Sequence, residues 1–389
     1  MSTRMRDWCE LTRISNLPTV LSSTLVGIFM LMPLIADPVL ILGVVLPVIL
    51  AIACFYLGGF VMNDVFDVEI DRVERPGRPL PSGRISMLQA SRAGTLLLGV
   101  GLILILVAEL VNGNTGIHDR TGFSIQFPYG LAAAGVLVAL ILLYDGFHTR
   151  GPAWVLVMGG CRGLVYITCL LTVTDQLQDI DPHPLILKYL GWPNLVSLPV
   201  VPFVVSMILY VACFSRIARG EVTAKGDGTL YCYRCGAATE RDATSCGKCG
   251  RSIEAEVLAR STSPPMPLAL RNLCLAGTLL PLAALVLVKL AGGMVALSRG
   301  EGLEHSALVR SDLLIVLISS AVVAIWFLVA IRAYVTNPLA PRKPIQMWIA
   351  GIALLDGLYL FLYGQGILSV ACFLLFAFTI WGHRRIRGT

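Results

Sequence analysis

Long apolar runs, separated by short polar gaps, dominate the pattern of this chain. Each run has about the 20 residues that an α-helix needs to cross a bilayer. We therefore predict ten membrane-spanning helices, at residues 17–36, 40–62, 88–112, 128–145, 152–174, 194–216, 268–293, 312–335, 345–362 and 366–383. Only Tyr363, Gly364 and Gln365 separate the last two runs, so these form either a tight hairpin or one broken element. The pattern indicates an all-α polytopic membrane protein.

The composition leads to the same class of protein. Of the 389 residues, 56% are hydrophobic and 14% are charged, and the mean hydropathy is +0.78. A soluble protein of this length cannot bury so much apolar surface. The net charge of +6 does not indicate nucleic-acid binding, because most lysines and arginines lie between the apolar runs, where membrane topology explains them.

The distribution of charge predicts an orientation in the membrane. Basic residues concentrate in alternate gaps and in the C-terminal tail, and basic gaps tend to face the cytoplasm. No cleavable signal peptide is evident, because further apolar runs follow the first one. We expect a multi-pass protein of the cell membrane with its N-terminus in the cytoplasm. An even number of spans would place the basic tail there too.

A charged stretch at residues 63–84 follows the second apolar run. Asn63, Asp67 and Asp71 are four residues apart, so a helix through them would place all three on one face. Stacked carboxylates need a cation, and Mg²⁺ suits oxygen ligands and bridges them to phosphate. Arginine binds phosphate well, and four follow at once: Arg72, Arg75, Arg78 and Arg84. The stretch indicates a diphosphate site; a solvated charged loop that caps a helix is the alternative.

The same stretch resembles the first signature of the UbiA superfamily of intramembrane prenyltransferases. The family pattern N-x-x-x-D-x-x-x-D, followed by RP-x-P-S-G, is matched here by Asn63, Asp67, Asp71, Arg78, Pro79, Pro81, Ser82 and Gly83. The resemblance implies a UbiA-type bundle of nine or ten spans. It also implies Mg²⁺-dependent transfer of a polyprenyl group from its diphosphate to a lipophilic, aromatic acceptor. Asn63, Asp67 and Asp71 would hold Mg²⁺ and diphosphate, while Arg75, Arg78 and Arg162 would offset phosphate charge.

Polar residues at and inside other apolar runs add candidates to this site. In the family, a tyrosine and a lysine after the fourth span face the diphosphate. Tyr144 matches the tyrosine, whereas His148 stands near the place of the lysine, where an ordinary polar turn is the alternative. Arg162 lies inside the fifth run, where an arginine usually faces the bundle interior or an aqueous cavity, so Arg162 and Tyr166 are candidates for the cavity wall. Asp356, inside the ninth run, raises the same question, although its family counterpart looks structural.

The end of the sixth run departs from typical members of the family, which carry a second D-x-x-x-D there. Ser215, Arg216 and Glu221 stand in its place, a pattern that resembles UbiA-like members of the EboC type. In an enzyme, Arg216 and Glu221 would replace the second half of the diphosphate clamp. The missing motif favours an alternative function, a non-catalytic membrane carrier or assembly protein that binds a prenyl or diphosphate lipid. The intact first signature favours the enzyme.

Four cysteines with metal-binding spacing lie between the sixth and seventh runs: Cys232, Cys235, Cys246 and Cys249. Four thiolates form a closed tetrahedral zinc site, which argues for a structural role; two chance thiol pairs are the alternative. Residues 230–252 resemble a short zinc ribbon, and so small a unit would need Zn²⁺ to fold. A cytoplasmic position suits reduced thiols. The ribbon would act as a lid, a spacer or a docking module for a protein partner.

The sequence therefore predicts three parts. Residues 1–217 form the first part of the transmembrane bundle, residues 218–267 form the cytoplasmic insert, and residues 268–389 complete the bundle.

Overall fold

The structure is a computed structural model of the whole chain. It describes residues 3–30, 40–74, 77–112, 128–148, 151, 153–173, 200–219, 230–231, 238–239, 245, 247–248, 266–298, 303–336 and 342–385.

Eight α-helices of the described residues precede the insert. They are α1 (Thr3–Leu11), α2 (Leu17–Phe29), α3 (Leu46–Phe66), α4 (Val68–Glu74), α5 (Met87–Val111), α6 (Tyr129–Phe147), α7 (Trp154–Val173) and α8 (Val200–Arg219). A 3-10 turn, Ile14–Asn16, leads into α2, and a π-helical turn, Ile41–Val45, leads into α3. After the insert, the described part of the chain contains five helices: α9 (Leu268–Gly277), α10 (Leu280–Ser298), α11 (Leu303–Thr336), α12 (Arg342–Leu362) and α13 (Gly366–Arg385).

The predicted all-helical membrane architecture is confirmed. Among the described residues, eight helices are long and apolar enough to cross a membrane, and α9 with α10 makes a ninth if this pair, bent by 49°, is one span. The first predicted span corresponds to a shorter apolar helix, Ile14–Phe29. Residues 31–39 lie outside the described part of the chain, so the count of ten spans stays a prediction.

The last two apolar runs form a tight hairpin. Gly364 has φ +79, a left-handed conformation that glycine adopts without the clash of a Cβ atom. The N–H of Gln365 donates to the carbonyl of Leu360 at 2.8 Å, so the turn satisfies a carbonyl that the end of α12 leaves free. The chain reverses there, and α13 packs against α12.

Small residues allow the long helices to approach closely, as is common in membrane bundles. The clearest case joins α3 and α5. An ideal Cβ on Gly101 would collide with a ring carbon of Phe55, and one on Gly58 would lie 3.0 Å from the carbonyl oxygen of Gly94. Helix α2 packs against α3, α7, α12 and α13, so the helices on both sides of the insert share one core.

The insert contributes two short strands, β1 (Leu230–Tyr231) and β2 (Ala238–Thr239), which pair antiparallel with Leu230 opposite Thr239. The segment between them contains Cys232 and Cys235. All four predicted zinc ligands lie outside the described residues, so the zinc ribbon and the three-part division stay predictions.

Candidate functional site

The predicted acidic signature lies where α3 ends. Helix α3 stops at Phe66, and Asp67 has φ −89 and ψ 0 before α4 begins. Helical hydrogen bonds continue across this break, because the N–H of Asp67 donates to the carbonyl of Asn63 at 2.9 Å and the N–H of Asp71 donates to that of Asp67 at 2.8 Å. The three residues therefore follow one another at successive helical turns, as their spacing predicts.

Two arginines hold the acids of this helix end. Arg78 lies 2.6 Å from a carboxylate oxygen of Asp71 and 3.4 Å from one of Asp64. Arg13 lies 3.2 Å from the same Asp64 oxygen. Both aspartates are buried, and buried charges normally require such partners. The sequence pattern did not single out Asp64, although this residue directly follows Asn63, because it stands outside the four-residue spacing.

Arg13 is held in an unusual backbone conformation. Its φ is 47 and its ψ is 45, a left-handed geometry that is uncommon for residues other than glycine and often marks functional sites. The hydroxyl of Tyr56 donates to the Arg13 carbonyl at 3.0 Å, and the Arg13 guanidinium lies 4.7 Å from the centre of the Phe60 ring. These contacts direct the charge of Arg13 towards the acidic helix end.

Helix α6 forms the facing wall of the site. The side-chain amide of Asn63 donates to Oδ1 of Asp145 at 3.1 Å, and Nε2 of His148 lies 3.4 Å from Oδ2 of Asp67. The hydrogen bond that the imidazole donates to the Asp67 carboxylate raises the pKa of His148 above its ordinary value. Near the place of the family's lysine, His148 thus brings an imidazole into contact with the signature.

Tyr144 lies between His148 and the end of α8. Its ring stacks on that of His148 with centroids 5.1 Å apart, and its hydroxyl accepts a hydrogen bond from Arg219 at 3.5 Å. Arg219 also donates to the carbonyl of Gly151 at 2.7 Å. Within the described part of the chain, Arg216 is half-buried and makes no such contact with α6. Arg219 was not among the residues that the sequence singled out, because it carries no distinctive spacing.

Arg162 and Tyr166 lie deeper, in a polar network that joins three helices. Arg162 donates to the carbonyl of Thr19 at 3.2 Å and to the hydroxyl of Ser23 at 3.3 Å. Tyr166 donates to Asp356 at 2.7 Å, and Ser23 donates to the same carboxylate at 3.0 Å. Polar groups inside a membrane bundle are costly unless they are paired, so this network ties α2, α7 and α12 together.

The donor set at the end of α3 fits a hard divalent cation. Asn63, Asp67 and Asp71 offer oxygen ligands of the kind that Mg²⁺ binds. In the described residues, no three His, Cys, Asp or Glu side chains are gathered as a ready metal site. In proteins, Mg²⁺ usually takes one or two carboxylates and completes its coordination with phosphate oxygens and water. Arg75 and Glu221 lie outside the described residues, and their roles stay predictions.

Apolar spans that enclose a polar site of paired charges define a polytopic α-helical membrane protein. We call this site, formed by the acidic end of α3, Arg13, Arg78 and the facing end of α6, the mouth of the bundle. The profile of the UbiA prenyltransferase family matches residues 20–217, just over half of the chain. The chain belongs to that family.

Several curated relatives are digeranylgeranylglyceryl phosphate synthases. The chain is 35% identical to the one from Sulfolobus acidocaldarius over 97 residues, which are 25% of this chain and 28% of the relative. It is 41% identical to the one from Methanoculleus marisnigri over 190 residues, 44% of this chain and 62% of the relative. The matches thus span less than two thirds of these relatives. Among solved structures, a UbiA homolog from Aeropyrum pernix K1 aligns over 88% of this chain and 94% of its own, with a TM-score of 0.48 and 16% identity.

Proposed function

We propose that this protein is a Mg²⁺-dependent membrane prenyltransferase, which moves a polyprenyl group from its diphosphate to a lipophilic acceptor. One observation carries the proposal. The signature residues Asn63, Asp67 and Asp71 lie at a helix end at which Arg13 and Arg78 are already paired with carboxylates. A diphosphate with a divalent cation carries both complementary charges and fits such a mouth.

The residues of the chain have distinct tasks in this proposal. Asp67 and Asp71 bind the cation, and Arg78 and Arg13 turn from the aspartates towards the phosphate oxygens. Mg²⁺, when bound, supplies positive charge that stabilises the leaving diphosphate. Tyr144 lies between His148 and Arg219, where it can hold the diphosphate from the α6 side. The predicted roles of Arg75, Arg216 and Glu221 are additional phosphate or cation contacts at the same rim.

The transfer itself requires little covalent chemistry from the protein. The bond between the allylic carbon and the diphosphate oxygen breaks, and its electron pair leaves with the diphosphate. The acceptor then bonds to the allylic carbon and releases one proton, which the diphosphate takes up. Loss of the diphosphate leaves an allylic carbocation, which must be protected from water until the acceptor attacks. The apolar helices around the mouth exclude that water. Arg162 lies below the mouth and would line the cavity.

The acceptor in this proposal is an aromatic lipid. The name of the relatives favours an acceptor of another chemical class, a glyceryl phosphate lipid with a free hydroxyl group. The two differ in the atom that attacks, carbon in the aromatic ring and oxygen in the glyceryl group. An assay should therefore supply acceptors of both classes, aromatic lipids and glyceryl phosphate lipids.

A second candidate function is a non-catalytic carrier or assembly protein that binds a prenyl or diphosphate lipid. The observation that favours it is the end of α8, where Ser215 and Arg216 replace the second acidic motif. A carrier would bind the same diphosphate without breaking the allylic bond.

Pyrophosphate release separates the two functions. Membranes that contain the protein receive a radiolabelled prenyl diphosphate, Mg²⁺ and an extract of host lipids supplemented with glyceryl phosphate lipids. The enzyme releases pyrophosphate, and Asp67→Asn loses that release. Binding without any release by the wild type would leave the carrier.

We also propose that the insert is a zinc ribbon, held by Cys232, Cys235, Cys246 and Cys249, which docks a protein partner or covers the mouth. The pairing of β1 with β2 supports this, because these strands flank the first cysteine pair. The proposed orientation places the N-terminus and the insert in the cytoplasm, in the cell membrane.

A further inference from the structure

Asp145 is a buried acid in the last turn of α6, and one of its carboxylate oxygens has no hydrogen-bond partner among the described residues. The residue is 6% exposed. Its Oδ1 accepts a hydrogen bond from the Asn63 amide at 3.1 Å. Within the described part of the chain, its Oδ2 is buried without a hydrogen-bond partner. A buried carboxylate is costly unless hydrogen bonds or positive charge compensate it.

The position of Asp145 adds to this cost. The C-terminal end of a helix carries negative partial charge, and Asp145 lies at that end of α6. Asp67 follows the same end of α3, which packs against α6. Two helix ends and two carboxylates thus bring negative charge to one place.

Neither His148 nor Arg13, the basic residues near Asp145 in the described part of the chain, contacts its side-chain carboxylate. His148 directs Nε2 to the carboxylate of Asp67 at 3.4 Å, and its Nδ1 lies 3.3 Å from the backbone carbonyl of Asp145 rather than from the side chain. Arg13 is close enough for its charge to act on Asp145, but its guanidinium is paired with Asp64. Among the described residues, no cationic group contacts Oδ2.

We infer that Asp145 is a further ligand of the divalent cation, on the wall opposite the acidic signature. The inference rests on the proposed function. The cation would lie between α3 and α6, with Asn63 and Asp67 on one side and Oδ2 of Asp145 on the other. Phosphate oxygens and water complete its coordination. Asp145 then supplies from α6 an acidic group of the kind that typical family members carry after the sixth span.

The test is the binding of Mn²⁺, a paramagnetic substitute for Mg²⁺, in the presence of inorganic pyrophosphate. Electron paramagnetic resonance measures the concentration of unbound Mn²⁺ in a detergent solution of the purified protein. We expect Asp145→Asn to weaken Mn²⁺ binding about tenfold or more, as the loss of a group that supports a metal site commonly does. Asp67→Ala should also lose binding. Asp7→Asn is the matched control, because Asp7 is a buried acid that already has a partner, Arg84, at 2.8 Å.

A second measurement distinguishes a ligand from a structural residue. Thermal unfolding without metal should leave Asp145→Asn as stable as the wild type or more stable, because the substitution removes an uncompensated buried charge. Manganese pyrophosphate should then raise the unfolding temperature of the wild type but not of Asp145→Asn. A variant that unfolds more easily without metal, or fails to fold, contradicts the inference.

The outcomes also separate the inference from the proposed function. If the wild type binds no Mn²⁺ with pyrophosphate, both fail. If Asp67→Ala loses binding while Asp145→Asn binds like the wild type, only the inference fails.

Discussion

The guanidinium of Arg78 lies 2.6 Å from the carboxylate of Asp71, seven residues before it in the chain. The loop after α4 therefore folds back over the acids that precede it. Arg78 also approaches Asp64, which Arg13 binds from the N-terminal segment. Arginines from two segments thus neutralise one acidic helix end. A cation and a diphosphate can replace these contacts without leaving either sign of charge unpaired.

Removal of Arg78 should destabilise the protein as well as weaken diphosphate binding. We expect Arg78→Ala to lower the free energy of unfolding by about 2 kcal/mol, because it leaves two buried carboxylates with fewer hydrogen-bond partners. The control is Arg72→Ala. Arg72 and its partner Glu69 are 58% and 74% exposed, and exposed pairs contribute at most about 1 kcal/mol. Denaturant unfolding in detergent measures both, and equal losses would contradict this account.

In the buried network around Asp356, we expect substitution of Asp356 to destabilise the protein more than substitution of its partner Tyr166. Ser22 and Ser23 donate to one carboxylate oxygen at 2.6 and 3.0 Å, and Tyr166 donates to the other at 2.7 Å. Asp356→Asn keeps the size of the side chain but replaces one acceptor by a donor. We therefore expect the free energy of unfolding to fall by about 3 kcal/mol. Tyr166→Phe removes one hydrogen bond and should cost about 1 kcal/mol. If the order of these two losses is reversed, the network does not centre on Asp356.

Two glycines of α5 provide a test of the packing against α3. An added Cβ at Gly101 would collide with Phe55, whereas one at Gly99 would meet nothing within 4 Å. Gly101→Ala should therefore destabilise the protein by about 1–3 kcal/mol through overpacking. Gly99→Ala should be neutral or slightly stabilising, because alanine favours the helix by about 1 kcal/mol. Equal unfolding temperatures for the two variants would show that α3 and α5 do not pack as described.

The four cysteines of the insert should hold one zinc ion per chain. Elemental analysis of the purified protein should find it, and Cys246→Ser should lose it while the spans still insert. Cys54→Ser is the control, since Cys54 is a free cysteine within α3. Wild-type protein without zinc, in which the four thiols react freely, would be incompatible with a ribbon.

The spans could be predicted because membrane helices are specified by the length and apolarity of single segments. The turn at Gly364 was left open, since a hairpin and a broken helix have the same hydropathy; the left-handed backbone at Gly364 resolves it as a hairpin. The four-residue spacing placed Asn63, Asp67 and Asp71 correctly on successive turns, because it depends on one helix alone.

Contacts between distant segments could not be predicted. Asn63 meets Asp145, 82 residues away, and Tyr166 meets Asp356, 190 residues away. Spacing within one helix carries no information about which helices become neighbours. The sequence therefore singled out Tyr166 and Asp356 separately but did not pair them. It gave Asp145 no role in the site, and it passed over Asp64 and Arg219.

The most direct test of a magnesium–diphosphate site is the binding of a radiolabelled prenyl diphosphate to purified protein, with Mg²⁺ and with a chelator. The wild type should bind the prenyl diphosphate at least about tenfold more tightly with Mg²⁺ than with the chelator. Asp67→Ala should bind it equally weakly in both conditions. Glu69→Gln, an exposed acid two residues away, should behave like the wild type. Equal binding by the wild type with and without Mg²⁺, unchanged by Asp67→Ala, would contradict the central claim.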